Sequence, residues 1–179
     1  MYHYSTMMKK FLFLLIMCAM SMVALAQTKS IQCDFVQTKT MKMLGEKMVS
    51  KGKMYYQHSD KLHWEYTTPY QYTFIMNGSK VLLKKGARKD VIDTSKNKIF
   101  KEIGKIMLNS VVVTGNKTRE LPLSKEMKGL YTKILLYFNS KTTLVEKVVM
   151  YEKNGDTTEI QLQNVQTNKP VSAAVFAVQ

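Results

Sequence analysis

The chain has 179 residues, 45% of them hydrophobic and 22% charged, which suits one compact domain and excludes a disordered chain. Only 8 Gly and 3 Pro exclude collagen-like and linker-rich arrays, and 2 Cys exclude a disulfide-stapled scaffold. The 27 Lys and Arg residues outnumber the 13 Asp and Glu, and the net charge of +14 favours anionic surfaces as partners.

The first 26 residues have the pattern of a secretory signal peptide. Lys9-Lys10 precedes an apolar run over 11–23, and Ala24-Leu25-Ala26 supplies small residues for cleavage. The apolar run is shorter than the ~20 residues that a membrane-spanning helix needs. We therefore predict a signal peptide over 1–26 and a mature domain over 27–179 that is exported to the periplasm. Export argues against nucleic acid as a partner.

Apolar and polar residues alternate along most of 31–88, as is typical of β-strands. A first strand is predicted over 31–37. One face of the next strand consists of Met48, Ser50, Gly52, Met54 and Tyr56.

A turn over 58–61 precedes a third strand, which Pro69 ends because proline lacks the ladder donor. Leu62, Trp64 and Tyr66 share one face of this strand, and His63 and Glu65 share the other. Strands are then predicted over 70–76 and 81–84, joined by a hairpin that Asn77-Gly78 indicates. This half of the chain is predicted to form an antiparallel sheet.

A different period appears over 96–110. Ile99, Ile103, Ile106 and Met107 recur at the spacing of one helix face, with lysines mainly on the other side. The pattern fits an ordinary helix packed on the sheet, or a lid over the open side of a curved sheet.

Alternation returns over 130–138 and 144–152, and Asn154-Gly155 indicates a second hairpin that leads into a strand through residue 162. The stretches 134–136 and 148–150 are apolar on both faces. Both faces are therefore expected to contact apolar groups: a core on one side, and a helix, a partner or a ligand on the other.

The residue types that catalysis requires are scarce. His58 and His63 are the histidines of 27–179, and their spacing matches no familiar metal site. The sequence has no nucleophile elbow, P-loop or dinucleotide motif, and its acidic residues are scattered. Cys33 occupies an apolar position of its strand and is predicted to be a small buried hydrophobe. We predict no enzymatic activity, no metal and no cofactor.

Large apolar side chains on the predicted sheet and helix favour an apolar cavity. Methionine adapts to irregular partners, and each buried acyl methylene contributes roughly 0.8 kcal/mol. The alternative is that these side chains fill the core of a small barrel. The candidate cavity residues are Phe35, Met48, Met54, Tyr56, Trp64, Tyr66, Phe74, Met76, Ile99, Ile103, Ile106 and Met107.

Four short motifs occur in order between residues 33 and 83. They are Phe35-Val36-Gln37, Ser50-Lys51-Gly52-Lys53-Met54-Tyr55-Tyr56, Trp64-Glu65-Tyr66-Thr67-Thr68-Pro69 and Asn77-Gly78. This stretch resembles the LolA-type periplasmic carriers of outer-membrane lipoproteins. The family outline has Phe-x-Gln, Ser-x-Gly-aliphatic-x-aromatic, Trp-x-Tyr-x-x-Pro and Asp/Asn-Gly. Lys53 stands at the aliphatic position, and Met54 follows it.

The resemblance implies a mainly β fold, an unclosed antiparallel β-barrel of the LolA/LolB type with a short helical lid. Family members receive lipoproteins from an inner-membrane ABC transporter, hold their acyl chains in the apolar interior and deliver them to an outer-membrane acceptor. No metal, cofactor or covalent chemistry is involved. We expect a monomer that transiently contacts anionic membrane surfaces. Candidate contacts are Lys84, Lys85, Arg88, Lys89, Lys98, Lys101 and Lys105.

Two departures from the family pattern concern the lid. His58 stands where the best-studied carriers have an Arg whose hydrogen bonds hold the lid closed, so His58 is the predicted lid contact. Gln27 leads almost directly into the first strand, which leaves little room for the family's amphipathic first helix. Part of the lid is then missing, or the helix predicted at 97–110 supplies it.

Three functions are consistent with these patterns. The first is a periplasmic carrier of lipoproteins. The second is a carrier of another amphiphile, such as a lipid or a lipid-linked pigment precursor. The third is a periplasmic interaction or sensor domain whose apolar face binds a protein and which transports nothing.

Overall fold

The computed structural model describes residues 30–58, 60–93, 117–125, 127–142 and 144–179. Ten strands lie in this part of the chain. They are β1 Ser30–Met41, β2 Glu46–Gln57, β3 Lys61–Thr68, β4 Tyr72–Asn77, β5 Lys80–Lys85, β6 Arg88–Asp93, β7 Thr118–Glu120, β8 Tyr131–Phe138, β9 Val145–Glu152 and β10 Thr157–Thr167. Two single-turn 3-10 helices accompany them, η1 Met127–Gly129 and η2 Ala173–Phe176.

All ten strands form a single antiparallel sheet in the order β6-β5-β4-β3-β2-β1-β10-β9-β8-β7. Neighbours in the sheet are neighbours in sequence, except where β1 pairs with β10. β6 and β7 are the two ends of the sheet, and no pairing within the described ranges joins them. This architecture confirms the predicted mainly β fold and the unclosed antiparallel sheet.

The hydrophobic pattern located most of the strands, and the hairpin signal at Asn77-Gly78 is confirmed. Asn77 pairs with Lys80, and Gly78 has φ of +60°, a value that glycine adopts at little cost. β6 and β7 were not predicted. Every residue of these two strands is exposed, so neither has the apolar alternation that marks a half-buried strand.

The main core lies on the concave face of the sheet and consists of two clusters. The first is centred on Phe35, Met54 and Tyr56 in β1 and β2, and the second on Ile134 and Leu136 in β8. Partly buried residues of β9 and β10, among them Val148 and Leu162, pack against both clusters. The two halves of the chain therefore share one apolar interior.

The C-terminal segment packs on the opposite, convex face. Phe176 in η2 is fully buried against β3 and β4, on the face that carries His63 and Ile75. His63 Nδ1 donates to the Val175 carbonyl at 2.6 Å, and Asn77 Nδ2 donates to the Phe176 carbonyl at 3.0 Å. Residues near η2 thus cover part of the convex face, and the Val175 carbonyl is the partner of the His63 ring.

The predicted burial of Cys33 is confirmed, since its side chain is 7% exposed. Burial, with a smaller contribution from the charge of Asp34, raises the pKa of the thiol to about 12. Because the thiolate is the reactive species, we expect the folded protein of residues 27–179, which lacks Cys18, not to react with an aromatic disulfide reagent at pH 8. Full reaction should appear in denaturant, and rapid reaction of the folded protein would contradict the structure.

Within the described ranges, no helix has the length and apolarity needed to cross a membrane. The helix predicted over 96–110 and the signal peptide predicted over 1–26 lie outside the described residues.

Candidate ligand-binding site

A cavity of about 390 Å³ lies on the concave side of the sheet, between the N-terminal and C-terminal halves of the chain. Strands β1 to β4 form one wall. Its lining residues are Ile31, Gln37, Met54, Leu62, Trp64, Tyr66, Tyr72 and Phe74. The period of two places Leu62, Trp64 and Tyr66 side by side on this wall, as the alternation in β3 predicted.

The opposite wall comes from η1, β8, β9, β10 and the segments beside them. Its lining residues are Met127, Leu130, Tyr131, Ile134, Leu144, Val145, Val148, Met150, Ile160, Leu162 and Val165. None of the lining residues of either wall carries a charge at neutral pH. The volume falls within the range of about 300–1,000 Å³ that is common for ligand sites.

The aromatic wall is held in place by Phe35. Its ring lies 4.2 Å from that of Trp64 between centroids and contacts Tyr66 edge-on at 5.2 Å. Gly52, on the neighbouring strand, makes room for this ring, because a Cβ at that position would lie 2.6 Å from Phe35 Cζ. The Phe-x-Gln and Ser-x-Gly motifs therefore meet across the β1–β2 pair.

Polar groups are few on the lining. Tyr66 Oη donates to Gln37 Oε1 at 2.8 Å, and the buried Trp64 Nε1 has no hydrogen-bond partner within the described residues. Burial raises the pKa of Tyr66, and the adjacent Trp64 and Gln37 side chains partly oppose this rise. Burial also raises the pKa of Tyr72 and Tyr131. The cavity tyrosines are therefore neutral at physiological pH.

The candidate residues of the sheet fall into three groups. Met54, Trp64, Tyr66 and Phe74 line the cavity. Phe35, Tyr56 and Met76 are buried in the core beside it and are not among the lining residues. Met48 is 40% exposed near the β1–β2 turn, because β2 extends beyond the cavity at that end.

Of the candidate residues of the lid, the structure describes His58 alone. Ile99, Ile103, Ile106 and Met107 lie outside the described residues. His58 is exposed in the turn between β2 and β3. Its predicted role as a lid contact stays a prediction.

The candidate set contained no residue from the wall formed by β8 to β10. The sequence did signal this wall, because the stretches 134–136 and 148–150 are apolar on both faces. Gln37 belongs to the Phe-x-Gln motif but is not one of the candidate cavity residues, and it reaches the cavity because it lies on the inward face of β1. Within the described residues, no three potential metal-ligating side chains converge.

Comparison with solved structures supports the fold. A DUF1329 family protein from Desulfovibrio piger is 13% identical, with a TM-score of 0.52 over 90% of this chain and 96% of that one. A chain of the MucA/MucB complex from Pseudomonas aeruginosa is 11% identical, with a TM-score of 0.50 over 84% of this chain and 56% of that one. A putative outer membrane lipoprotein-sorting protein domain from Vibrio parahaemolyticus is 12% identical, with a TM-score of 0.48 over 85% and 90%.

At these identities the two matches with TM-scores of 0.50 and 0.52 speak for the fold alone. A comparison with curated protein sequences gives no significant match. The profile of the family described as "Outer membrane lipoprotein carrier protein LolA" matches residues 26–179, which includes the whole of the predicted mature domain. The chain therefore belongs to the LolA family.

Proposed function

We propose that this protein is a periplasmic carrier that binds the acyl chains of lipoproteins in its cavity and moves them from the inner to the outer membrane. The observation that carries the proposal is the uncharged cavity of about 390 Å³ between the two halves of the sheet, in a member of the LolA family. In this proposal an inner-membrane ABC transporter is the donor, and an outer-membrane acceptor receives the cargo.

The energetics of an acyl chain suit such a cavity. Burial of about ten methylenes contributes roughly 8 kcal/mol. Association itself costs at least about 4 kcal/mol, so apolar contact alone can hold a chain of ordinary length with moderate affinity. No covalent chemistry or cofactor is needed, and a moderate affinity allows the cargo to be released.

The proposal retains the predicted roles of the residues beyond the cavity walls. His58 would contact a lid that includes Ile99, Ile103, Ile106 and Met107. The excess of lysine would favour brief contact with anionic membrane surfaces at each end of the transfer. The carrier would act as a monomer on residues 27–179, after removal of the signal peptide.

Native mass spectrometry of the protein purified from the periplasm of its own host tests this function. A co-purifying triacylated lipoprotein is the expected result, and the mass of the chain itself should correspond to a start at Gln27. A bound lipid or pigment precursor would contradict the lipoprotein-carrier hypothesis and favour a carrier of another amphiphile. A stoichiometric protein partner on a cavity that binds no lipid would favour the interaction-domain hypothesis.

Adjacent residues of β9 provide a matched test of the cavity. Val148 lines the cavity, whereas Val149 is 5% exposed on the other face of the strand. Val148→Thr should weaken binding of a dioctanoyl phosphatidylcholine at least about fivefold, since a ligand would leave the new hydroxyl unpaired at a cost of about 1–3 kcal/mol. Trp64, the single Trp of the chain, provides the fluorescence signal for the titration.

Val149→Thr introduces the same hydroxyl on the opposite face and should leave the affinity for this lipid unchanged. Both variants need a melting curve to establish that they are folded at the titration temperature. Equal weakening by the two variants, or no weakening by either, would exclude this cavity as the acyl-binding site.

A further inference from the structure

One corner of the mainly apolar cavity holds three polar side chains. Gln37, Trp64 and Tyr66 all line the cavity, on the adjacent elements β1 and β3. The ring centroids of Trp64 and Tyr66 are 6.3 Å apart, and Tyr66 Oη is 2.8 Å from Gln37 Oε1. Polar groups at an apolar ligand site usually fix the orientation of the ligand.

The hydrogen bonds of this corner leave donors unused. The indole N–H of Trp64 can only donate, and its buried nitrogen makes no hydrogen bond of acceptable geometry within the described residues. It lies near enough to the Tyr66 hydroxyl to lower the pKa of that group, but the contact does not reach hydrogen-bond geometry. The Tyr66 hydroxyl donates a hydrogen bond to the Gln37 oxygen. This bond orients the Gln37 amide group so that its NH₂ can donate to another acceptor. A buried donor without a partner costs about 1–3 kcal/mol, so an acceptor that arrives with a ligand is favoured there.

The surroundings also restrict the charge of that acceptor. No lining residue is a Lys, Arg or His, so nothing on the described walls would pair with a buried carboxylate. Burial of an unpaired anion is far more costly than burial of a neutral carbonyl. The corner therefore suits the carbonyl of an ester or amide better than the carboxylate of a free fatty acid.

We propose that Gln37, Trp64 and Tyr66 form a subsite that donates hydrogen bonds to the carbonyl oxygen of an ester- or amide-linked acyl chain. The Gln37 NH₂ and the Trp64 indole N–H are the donors, and Tyr66 holds the Gln37 amide in its orientation. Phe35 fixes the Trp64 ring by stacking at 4.2 Å. This inference rests on the proposed acyl-binding function and specifies which linkage the cavity selects.

The first test needs no substitution. Dioctanoyl phosphatidylcholine and the matched dioctyl ether lipid have the same headgroup and nearly the same apolar area, but only the ester lipid has carbonyl groups. The ester lipid should bind about two- to twelvefold more tightly, the range that corresponds to one net hydrogen bond of about 0.5–1.5 kcal/mol. Free octanoate should compete poorly with either lipid at neutral pH.

The indole proton reports the contact directly. Trp64 is the single Trp, so a nitrogen–proton correlation spectrum contains one indole peak. Addition of the ester lipid should move this proton downfield, as hydrogen bonding does, and the ether lipid should move it less. A triacylated cysteinyl peptide also has ester and amide carbonyls, so it too should give a larger downfield shift than the ether lipid. Comparison of the affinities for the lipopeptide and the ester phospholipid shows whether the subsite prefers the carbonyl of a lipoprotein or that of a phospholipid.

Substitution separates the subsite from the rest of the cavity. Gln37→Met keeps the length of the side chain. It should lower the affinity for the ester lipid toward that for the ether lipid, and it should leave the affinity for the ether lipid unchanged. Gln163→Met, at an exposed position of β10, is the control and should change neither. Tyr66→Phe should act in the same direction as Gln37→Met but less strongly, because it only releases the Gln37 amide.

The outcomes distinguish this subsite from the function on which it rests. Equal binding of ester and ether lipids, with no difference in the indole shift, would overturn the subsite and leave acyl binding intact. No binding of either lipid to the folded wild-type protein would overturn both.

Discussion

Gly52→Ala is expected to lower the free energy of unfolding by about 3 kcal/mol or more. A Cβ at this position would lie 1.9 Å from the backbone oxygen of Glu65 and 2.6 Å from Phe35 Cζ. The ring can adjust, but the carbonyl belongs to β3, which pairs with β2 next to an irregularity at Lys51 and Gly52. Overpacking usually costs about 1–3 kcal/mol, and a backbone clash in a sheet belongs at the upper end.

Urea denaturation of the variant measures this loss. Gly129→Ala is the matched control, because that glycine has ordinary backbone angles and open space around it. Its stability should change by less than about 0.5 kcal/mol. Phe35→Leu in the Gly52→Ala background separates the two clashes: it should restore little stability if the Glu65 carbonyl dominates. A Gly52→Ala protein as stable as wild type would contradict the described packing of β1, β2 and β3.

Phe176→Ala should cost about 3–5 kcal/mol, the usual loss for a buried phenylalanine. The ring is fully buried, and it packs on the convex face of β3 and β4. The hydrogen bonds that tie the C-terminal segment to the sheet use its backbone carbonyls, for example Ser30 Oγ to Lys169 O at 2.7 Å. They survive the substitution, so the loss should come from the lost apolar contact.

Hydrogen exchange should show where the effect lies. Amides near η2 and in β3 and β4 should exchange faster, whereas those of β8 and β9 should change little. Acyl binding by the folded fraction should persist, because Phe176 lies on the face opposite the cavity. Tyr70→Ala removes an aromatic ring that is 72% exposed and should be almost neutral. Equal effects of the two substitutions would exclude a structural role for the C-terminal contact.

The sequence was most informative where one face of a strand is buried. In β3 the alternation separated Leu62, Trp64 and Tyr66, which line the cavity, from His63, which contacts the C-terminal segment on the convex face. In β6, by contrast, every side chain is exposed, so its pairing with β5 left no pattern in the hydrophobicity. Local alternation thus predicts strands that face a core and misses those at the edge of the sheet.

The candidate cavity residues were harder to predict, because an inward-facing position does not reveal what lies opposite. Phe35 and Trp64 both face inward, but Phe35 is covered by its neighbours, whereas Trp64 reaches the cavity. The wall that includes Val148 and Leu162 depends on which strands meet in space. That meeting is set by the pairing of β1 with β10, which no local pattern encodes.

The pairing of β1 with β10 has a consequence for how the protein folds. Every other pairing joins strands that follow one another in the chain and can form early as hairpins. The β1–β10 pairing, which sets Ile31 opposite Thr167 and Thr40 opposite Thr157, closes a loop that contains almost the entire domain. It should therefore form late. The two walls of the cavity lie on opposite sides of the β1–β10 pairing, so the cavity forms only when these two strands pair. A bound acyl chain, which contacts both walls, should disfavour separation of the two strands.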